Sequence, residues 1–301
     1  MLGIPAVLAG CERIVLCSPP HKNGTSCTVD PLVLTAASIA GIQEIYALGG
    51  AQAIAAMAYG TESVPKVHKI FGPGNRYVAA AKQFVSVDPD GAAIDLLAGP
   101  SELLILADES VEPSLVASDL LSQAEHGPES QVVLVTTSPS FAERVQQVLN
   151  EELQRLPRVE IIRQSLLNSF VILTDSIEQA VRFANDYAPE HLILNVQRPE
   201  RLVPQIRNAG SVFLGPHAPV TAGDYASGTN HTLPTGGSAR WFSGLSVESF
   251  QKTISFQSIT REGLQHLAPT LTTLAEAERL EAHRRAVTVR LKNRKGDEMQ
   301  G

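Results

Sequence analysis

The stretch Glu102-Leu103-Leu104-Ile105-Leu106-Ala107, followed by Pro113–Glu125 (PSLVASDLLSQAE) and Gln131–Val135 (QVVLV), decides the fold. It reads as strand, helix and strand, and that succession calls for a parallel sheet covered by helices on both faces. The rhythm continues downstream through a helix at Ser140–Leu153 and strands near Phe170–Leu173, Leu192–Leu194 and Ser211–Leu214, with helices at Ile177–Asp186 and Pro199–Asn208. It also runs upstream. Arg13–Cys17 is a short buried strand ended by Ser18-Pro19-Pro20, and Asp30-Pro31 opens a helix through Ala40, with proline at the position where its missing N–H is harmless. Strand Glu44–Leu48, helix Gly49–Tyr59, strand Val67–Phe71 and a helix from about Asn75 to Val87 complete the first series. The boundary between the two series falls near Ala98-Gly99-Pro100. From Gly215 to Gly244 the composition shifts to Gly, Ser, Thr and Pro, and a loop of that length is usually functional. Beyond Ser246 the sequence reads as wholly helical, ending in a long segment from about Pro269 to Asn293.

The chain has 301 residues, enough for about two domains. With 44% apolar and 18% charged residues it is an ordinary globular chain. Its net charge of −7 argues against a nucleic acid as the main partner, because phosphate binding needs basic surface. The basic residues Arg284, Arg285, Arg290, Lys292, Arg294 and Lys295 read as the exposed side and end of a terminal helix. No apolar run approaches the roughly 18 residues that span a bilayer, and Met1–Gly10 carries no basic leader. Cys11, Cys17 and Cys27 match neither a disulfide framework nor a zinc ribbon and read as reduced thiols of a cytoplasmic protein.

Two Gly-rich turns follow strands, Leu48-Gly49-Gly50-Ala51-Gln52 and Phe71-Gly72-Pro73-Gly74-Asn75. Each sets backbone N–H groups at a helix start, which suits a pyrophosphate, yet neither is a full G-x-G-x-x-G and each also reads as a plain tight turn. Gln123 and His126 stand three apart at a helix end, about 60° on the helical wheel, so both can point to one spot. Helix physics equally makes His126 a cap beside Gly127. Asp224 is a candidate ligand or a turn aspartate. Glu190-His191 is an acid–base dyad or a surface pair, and His283 a ligand or an exposed helical histidine. No spacing connects these segments.

Taken together, Phe71–Asn75, Ala98-Gly99-Pro100-Ser101-Glu102, Asp119–Pro128, Ala188-Pro189-Glu190-His191-Leu192, Ala222–His231 and Ala277–His283 resemble the histidinol dehydrogenase family, from Leu2 to about Leu291. The resemblance implies two Rossmann-like α/β domains with parallel-rich sheets flanked by helices: an NAD-binding domain over 1–100 and a zinc and substrate domain over 101–245. A helical tail over 246–301 then exchanges between the subunits of a homodimer. It implies one Zn2+ per subunit on Gln123, His126, Asp224 and His283, with Ser101, His191 and Glu278 as further contacts to L-histidinol. It implies NAD at Gln52 and Asn75, His191 as general acid/base, and Glu190 as the group that activates water.

The implied reaction is oxidation of L-histidinol through L-histidinal to L-histidine in two hydride transfers. Glu278 and His283 are five apart, about 140° on one helix, and can face one point only across a bend. Family chains extend further at the N-terminus, with an extra strand and a cofactor-contacting tyrosine. On that ground the 301 residues expressed alone are expected to aggregate and to turn over little. Two other classes compete: a zinc hydrolase, which gives no reason for the Gly-rich turns, and a non-catalytic cofactor-binding relative, which need not keep Glu190-His191.

Overall fold

A computed structural model describes residues 1–23, 26–96 and 99–292, without the side chains at 22, 23, 26 and 27. Ala98 of the expected boundary, the Cys27 thiol, and Asn293, Arg294 and Lys295 of the tail lie outside the described residues. The chain divides into two units, Met1–Gln251 and Lys252–Gly301.

The first unit opens with α1 (Gly3–Leu8), β1 (Val15–Ser18), β2 (His21–Asn23), β3 (Ser26–Thr28), α2 (Pro31–Ile39), β4 (Glu44–Ala47), α3 (Ala51–Tyr59), β5 (Lys69–Ile70), α4 (Arg76–Val87) and β6 (Ala93–Ile94). Its parallel strands pair two by two, β1 with β4 and β5 with β6, and β2 and β3 form an antiparallel hairpin that the sequence did not announce. Helix starts follow local chemistry. The Asp30 carboxylate accepts the Leu32 N–H at 2.7 Å with Pro31 at the first helical position, and Asn75 caps α4.

The centre of this unit is built from β7 (Glu102–Ala107), α5 (Pro113–Ala124), β8 (Gln131–Thr136), α6 (Pro139–Leu153), α7 (Val159–Leu166), β9 (Phe170–Leu173), α8 (Ile177–Tyr187), β10 (His191–Asn195), β11 (Ser211–Leu214) and α9 (Val220–Tyr225). Five parallel strands lie in the order β11-β10-β7-β8-β9. The chain steps outward from β7 through β8 to β9, then crosses back to β10 on the other side of β7, the strand order of a doubly wound sheet.

Alternation of side chains explains why β7 is apolar at five consecutive positions. Leu103 and Ile105 pack with Val116, Leu120, Phe141 and Ile162 on one face, while Leu104 and Leu106 pack with Val133, Val181 and Leu194 on the other. Each such side chain contributes about 1.5–3 kcal/mol over exposure. The strand is buried at every residue and anchors the unit.

Three expectations are corrected. Pro199–Asn208 is not an α-helix but two short 3-10 turns, Pro199–Arg201 and Val203–Gln205. Pro204 removes a backbone donor and restricts the residue before it, which stops helix growth. The Gly215–Gly244 segment is not loop throughout, because α9 forms inside it. The stretch after Ser246 is not wholly helical: a 3-10 turn at Val247–Phe250 is followed by non-helical, exposed residues 251–260. The β-branched Thr253, Ile254, Ile259 and Thr260 disfavour helix there.

In the second unit α10 (Arg261–Ala277) starts eight residues before Pro269, because the Thr260 hydroxyl caps it by accepting the Gly263 N–H at 3.1 Å, and α11 (Glu281–Leu291) follows after a break. Among the described residues no helix is long and apolar enough to cross a membrane.

Candidate active site

Helix α8 ends at Ala188, which takes a left-handed φ of 54°. That turn, with Pro189, delivers Glu190 and His191 to the amino end of β10. The neighbouring backbone then locks them. Gly210 donates its N–H to the Pro189 carbonyl at 2.9 Å and Ser211 donates to the Glu190 carbonyl at 2.9 Å. A Cβ at Gly210 would lie 2.6 Å from the Glu190 carbonyl oxygen, so only glycine fits. Both residues are 5% exposed, and His191 Nδ1 sits 3.6 Å from Glu190 Oε2.

Burial drives their protonation apart. It pushes the Glu190 carboxyl up to about 8, against N–H donation from Glu102 at 3.1 Å, with the Glu102 carboxylate adding repulsion and the Ser101 hydroxyl opposing it. Burial also pulls the His191 imidazole down to about 4, partly offset by Asp224 and reinforced by His126 and His231. Two adjacent titratable groups displaced in opposite directions are a mark of acid–base sites.

The same influences show which expected residues converge. Ser101, Glu190, His191, Asp224 and His126 lie within electrostatic reach of one another's centre. Gln123 faces inward from the apolar stripe of α5, 1% exposed, and neither its Oε1 nor its Nε2 has a hydrogen-bond partner. Asp224 rides on α9, whose Gly223 packs so close to Phe213 that a Cβ would lie 2.7 Å from the ring. The Phe213 ring in turn stands 6.0 Å from that of His191.

Sequence reasoning missed two residues here. Glu102 is buried, its carboxyl raised by desolvation, with Oε1 accepting the Gly237 N–H at 3.4 Å. His231 places Nδ1 2.9 Å from the Asp224 carbonyl oxygen. Both ended quoted motifs, which was the available signal.

The remaining residues stand elsewhere. Gln52 is exposed in the first turn of α3, after Gly50 at φ 74°. Asn75 is exposed, and its Oδ1 accepts the N–H groups of Tyr77 at 3.0 Å and Val78 at 3.1 Å, so the cap leaves its Nδ2 for other partners. In the second unit Glu278 closes α10, Arg279 takes a φ of 60°, and His283 lies in the first turn of α11; both Glu278 and His283 are exposed. The bend demanded by their spacing is therefore present. Among the described residues no three His, Cys, Asp or Glu side chains are arranged to hold a metal.

These features define a parallel-sheet α/β protein with a buried acid–histidine pair and a buried, unpartnered amide. The chain belongs to the histidinol dehydrogenase family, whose model matches residues 1–291. It is 55% identical to a histidinol dehydrogenase of Aliivibrio fischeri and 54% identical to that of Vibrio cholerae, each over 97% of this chain. It spans 65% and 66% of the lengths of those two relatives, respectively. The crystal structure of histidinol dehydrogenase from Elizabethkingia anophelis superposes with a TM-score of 0.93 at 52% identity, covering 97% of this chain and 66% of that one.

Proposed function

We propose that this chain carries the active site of an NAD-dependent oxidation of L-histidinol through L-histidinal to L-histidine. The observation that carries the reading is Glu190 and His191 buried side by side, 3.6 Å apart, in a chain of this family. His191, neutral at physiological pH, takes the substrate hydroxyl proton on its ring nitrogen as each oxidation proceeds. Glu190 in its ionised form, whose fraction grows as pH rises toward 8, takes a proton from the water that adds to the aldehyde. Ser101 hydrogen-bonds substrate at the sheet edge, and Glu278 and His283 come from the tail of the partner in a homodimer.

The residues fit zinc. Gln123 presents a buried amide with neither polar atom satisfied, an arrangement that costs about 1–3 kcal/mol per group without a ligand. Its oxygen, the His126 imidazole and the Asp224 carboxylate make an N/O donor set suited to Zn2+, with His283 as fourth member. When bound, zinc supplies a fixed Lewis-acidic point that orients substrate, and NAD, held at Gln52 and Asn75, supplies the hydride acceptor. Cys11 and Cys17 are free thiols, which suits the cytoplasm, the proposed compartment.

Three measurements test this. NADH formation by the purified chain given NAD and histidinol is the direct one, and it also decides the sequence-based expectation of low turnover. His126→Ala should abolish stoichiometric zinc; one tightly held zinc per subunit in that variant would remove His126 from the site. Glu190→Gln should slow oxidation of supplied aldehyde more than oxidation of alcohol, because only the former needs activated water. Equal losses would reject the division of roles.

A further inference from the structure

We propose that the buried ion pair Lys82–Asp95 is a positioning device that holds the turn Gly72–Asn75 in its cofactor-binding shape, an inference that rests on the reading of Asn75 as an NAD contact. Lys82 lies on α4, 2% exposed, and the Asp95 side chain is fully buried. All three ammonium donors of Lys82 are spent inside the protein: on Asp95 Oδ1, on the Gly72 carbonyl at 2.9 Å and on the Leu96 carbonyl at 2.8 Å. Asp95 Oδ2 accepts the Gly72 N–H at 2.8 Å. One ion pair thus grips both polar backbone atoms of Gly72.

That grip has a purpose which stability alone does not supply. Gly72 holds a φ of 122°, a conformation open to glycine and rarely taken by other residues, and a glycine without fixed partners samples many others. A buried ion pair adds little net stability over well-packed apolar side chains of the same size, and its best-attested use is to specify one arrangement. Here the arrangement specified is local. Lys82 stands on α4, seven residues after its cap Asn75, so the pair fastens that helix, the Gly-rich turn before it and the strand end at Asp95 into one piece. The turn is then formed before cofactor arrives, which lowers the ordering cost of binding.

The test compares the full chain with Lys82→Met/Asp95→Leu, which replaces the pair by apolar side chains, and with Lys82→Met/Asp95→Asn, which leaves no buried unpaired ammonium and keeps an acceptor for the Gly72 N–H. Hydrogen exchange at Gly72–Val78 and the dissociation constant of NADH are read on all three. The apolar variant should retain its melting temperature within a few degrees, exchange Gly72 at least tenfold faster, and bind NADH at least tenfold more weakly. Lys82→Met/Asp95→Asn should fall between it and the unsubstituted chain, and decides the matter if the apolar variant does not fold. Unchanged exchange at Gly72 would overturn the positioning role. Faster exchange with unchanged NADH affinity would overturn its link to cofactor while leaving the role of Asn75 intact. An unsubstituted chain that binds no NADH would instead refute the cofactor reading itself, with the exchange data still deciding what the pair holds.

Discussion

The two edges of the five-stranded sheet treat their polar groups in opposite ways. In open α/β sheets ligands settle at the carboxyl ends of strands, where the strand order reverses. Here the reversal lies between β7 and β10, and hydrogen bonds link the two strand ends there. Asp108, just past β7, accepts N–H groups from Ser110 at 2.9 Å and Gln197 at 3.1 Å, and its own N–H is bonded to Asn195. Glu109 takes the hydroxyls of Ser138 at 2.6 Å and Ser140 at 3.0 Å, which hold its carboxyl below the ordinary range. The neutral oxygens of Asn195 and Thr174 are left without partners there, but no carboxylate is. At the amino edge burial wins: Glu190 is raised to about 8, His191 Nδ1 lacks a partner and Gln123 has none on either atom. The difference is that buried titratable groups are displaced from their ordinary protonation at the amino end, while the carboxylates at the carboxyl end are stabilised by hydrogen bonds.

The largest expected effect tests that difference through activity. His191→Asn or Glu190→Gln at the amino edge should lower histidinol turnover about 100-fold or more, the usual weight of a positioned acid or base. Glu109→Gln at the carboxyl edge should change it less than twofold. Steady-state NADH production with all three variants decides it, and a comparable loss in Glu109→Gln would show the carboxyl edge to be functional after all.

A smaller effect concerns stability against pH. The Glu190 carboxyl titrates near 8 in the fold and near 4.5 when unfolded, so the folded state holds the extra proton and stability falls as pH rises across that window. The His191 imidazole titrates near 4 folded and 6.5 unfolded, so its contribution rises with pH between those values. The two slopes oppose each other between about 4.5 and 6.5. Above 6.5 the carboxyl acts without the histidine, and unfolding free energy should drop by about 2 kcal/mol from pH 6.5 to 8. Denaturant titrations should show this drop in the unsubstituted chain and its absence in Glu190→Gln. A drop of equal size in both would mean that burial does not keep Glu190 protonated.

Much of the sheet was legible beforehand, and for a physical reason. β7, β9 and β11 are short apolar runs bounded by polar or turn residues, the latter two rich in β-branched or aromatic residues, so their limits matched to the residue. Helix α7 was missed although Val159, Ile162 and Leu166 keep helical spacing, because an eight-residue element carries a weak periodic signal. The site was legible only through its long motifs. Nothing in the spacing of Gln123, Asp224 and Glu190-His191 ties them together; strand order brings Glu190 and His191 to the Glu102 end of β7 across nearly ninety residues of chain. Glu102 escaped because a carboxylate opening an apolar strand reads as its exposed end, whereas the loop around Gly237 covers it.

The smallest prediction sharpens the contrast from the carboxyl side. Ser138 does two things there: its hydroxyl accepts the Phe141 N–H at 3.2 Å, capping α6, and donates to Glu109. If that edge is structural, its polar groups serve helix starts and not chemistry. Ser138→Ala should therefore cost about 1 kcal/mol of unfolding free energy, the ordinary value of a lost N-cap. Ser138→Asp, which can still cap but meets the Glu109 carboxylate, should recover only part of it, because like charges at that distance repel. NADH production and zinc content should stay at the unsubstituted level in both variants. A fall in turnover with unchanged stability would tie the start of α6 to the reaction and break the division between the two edges.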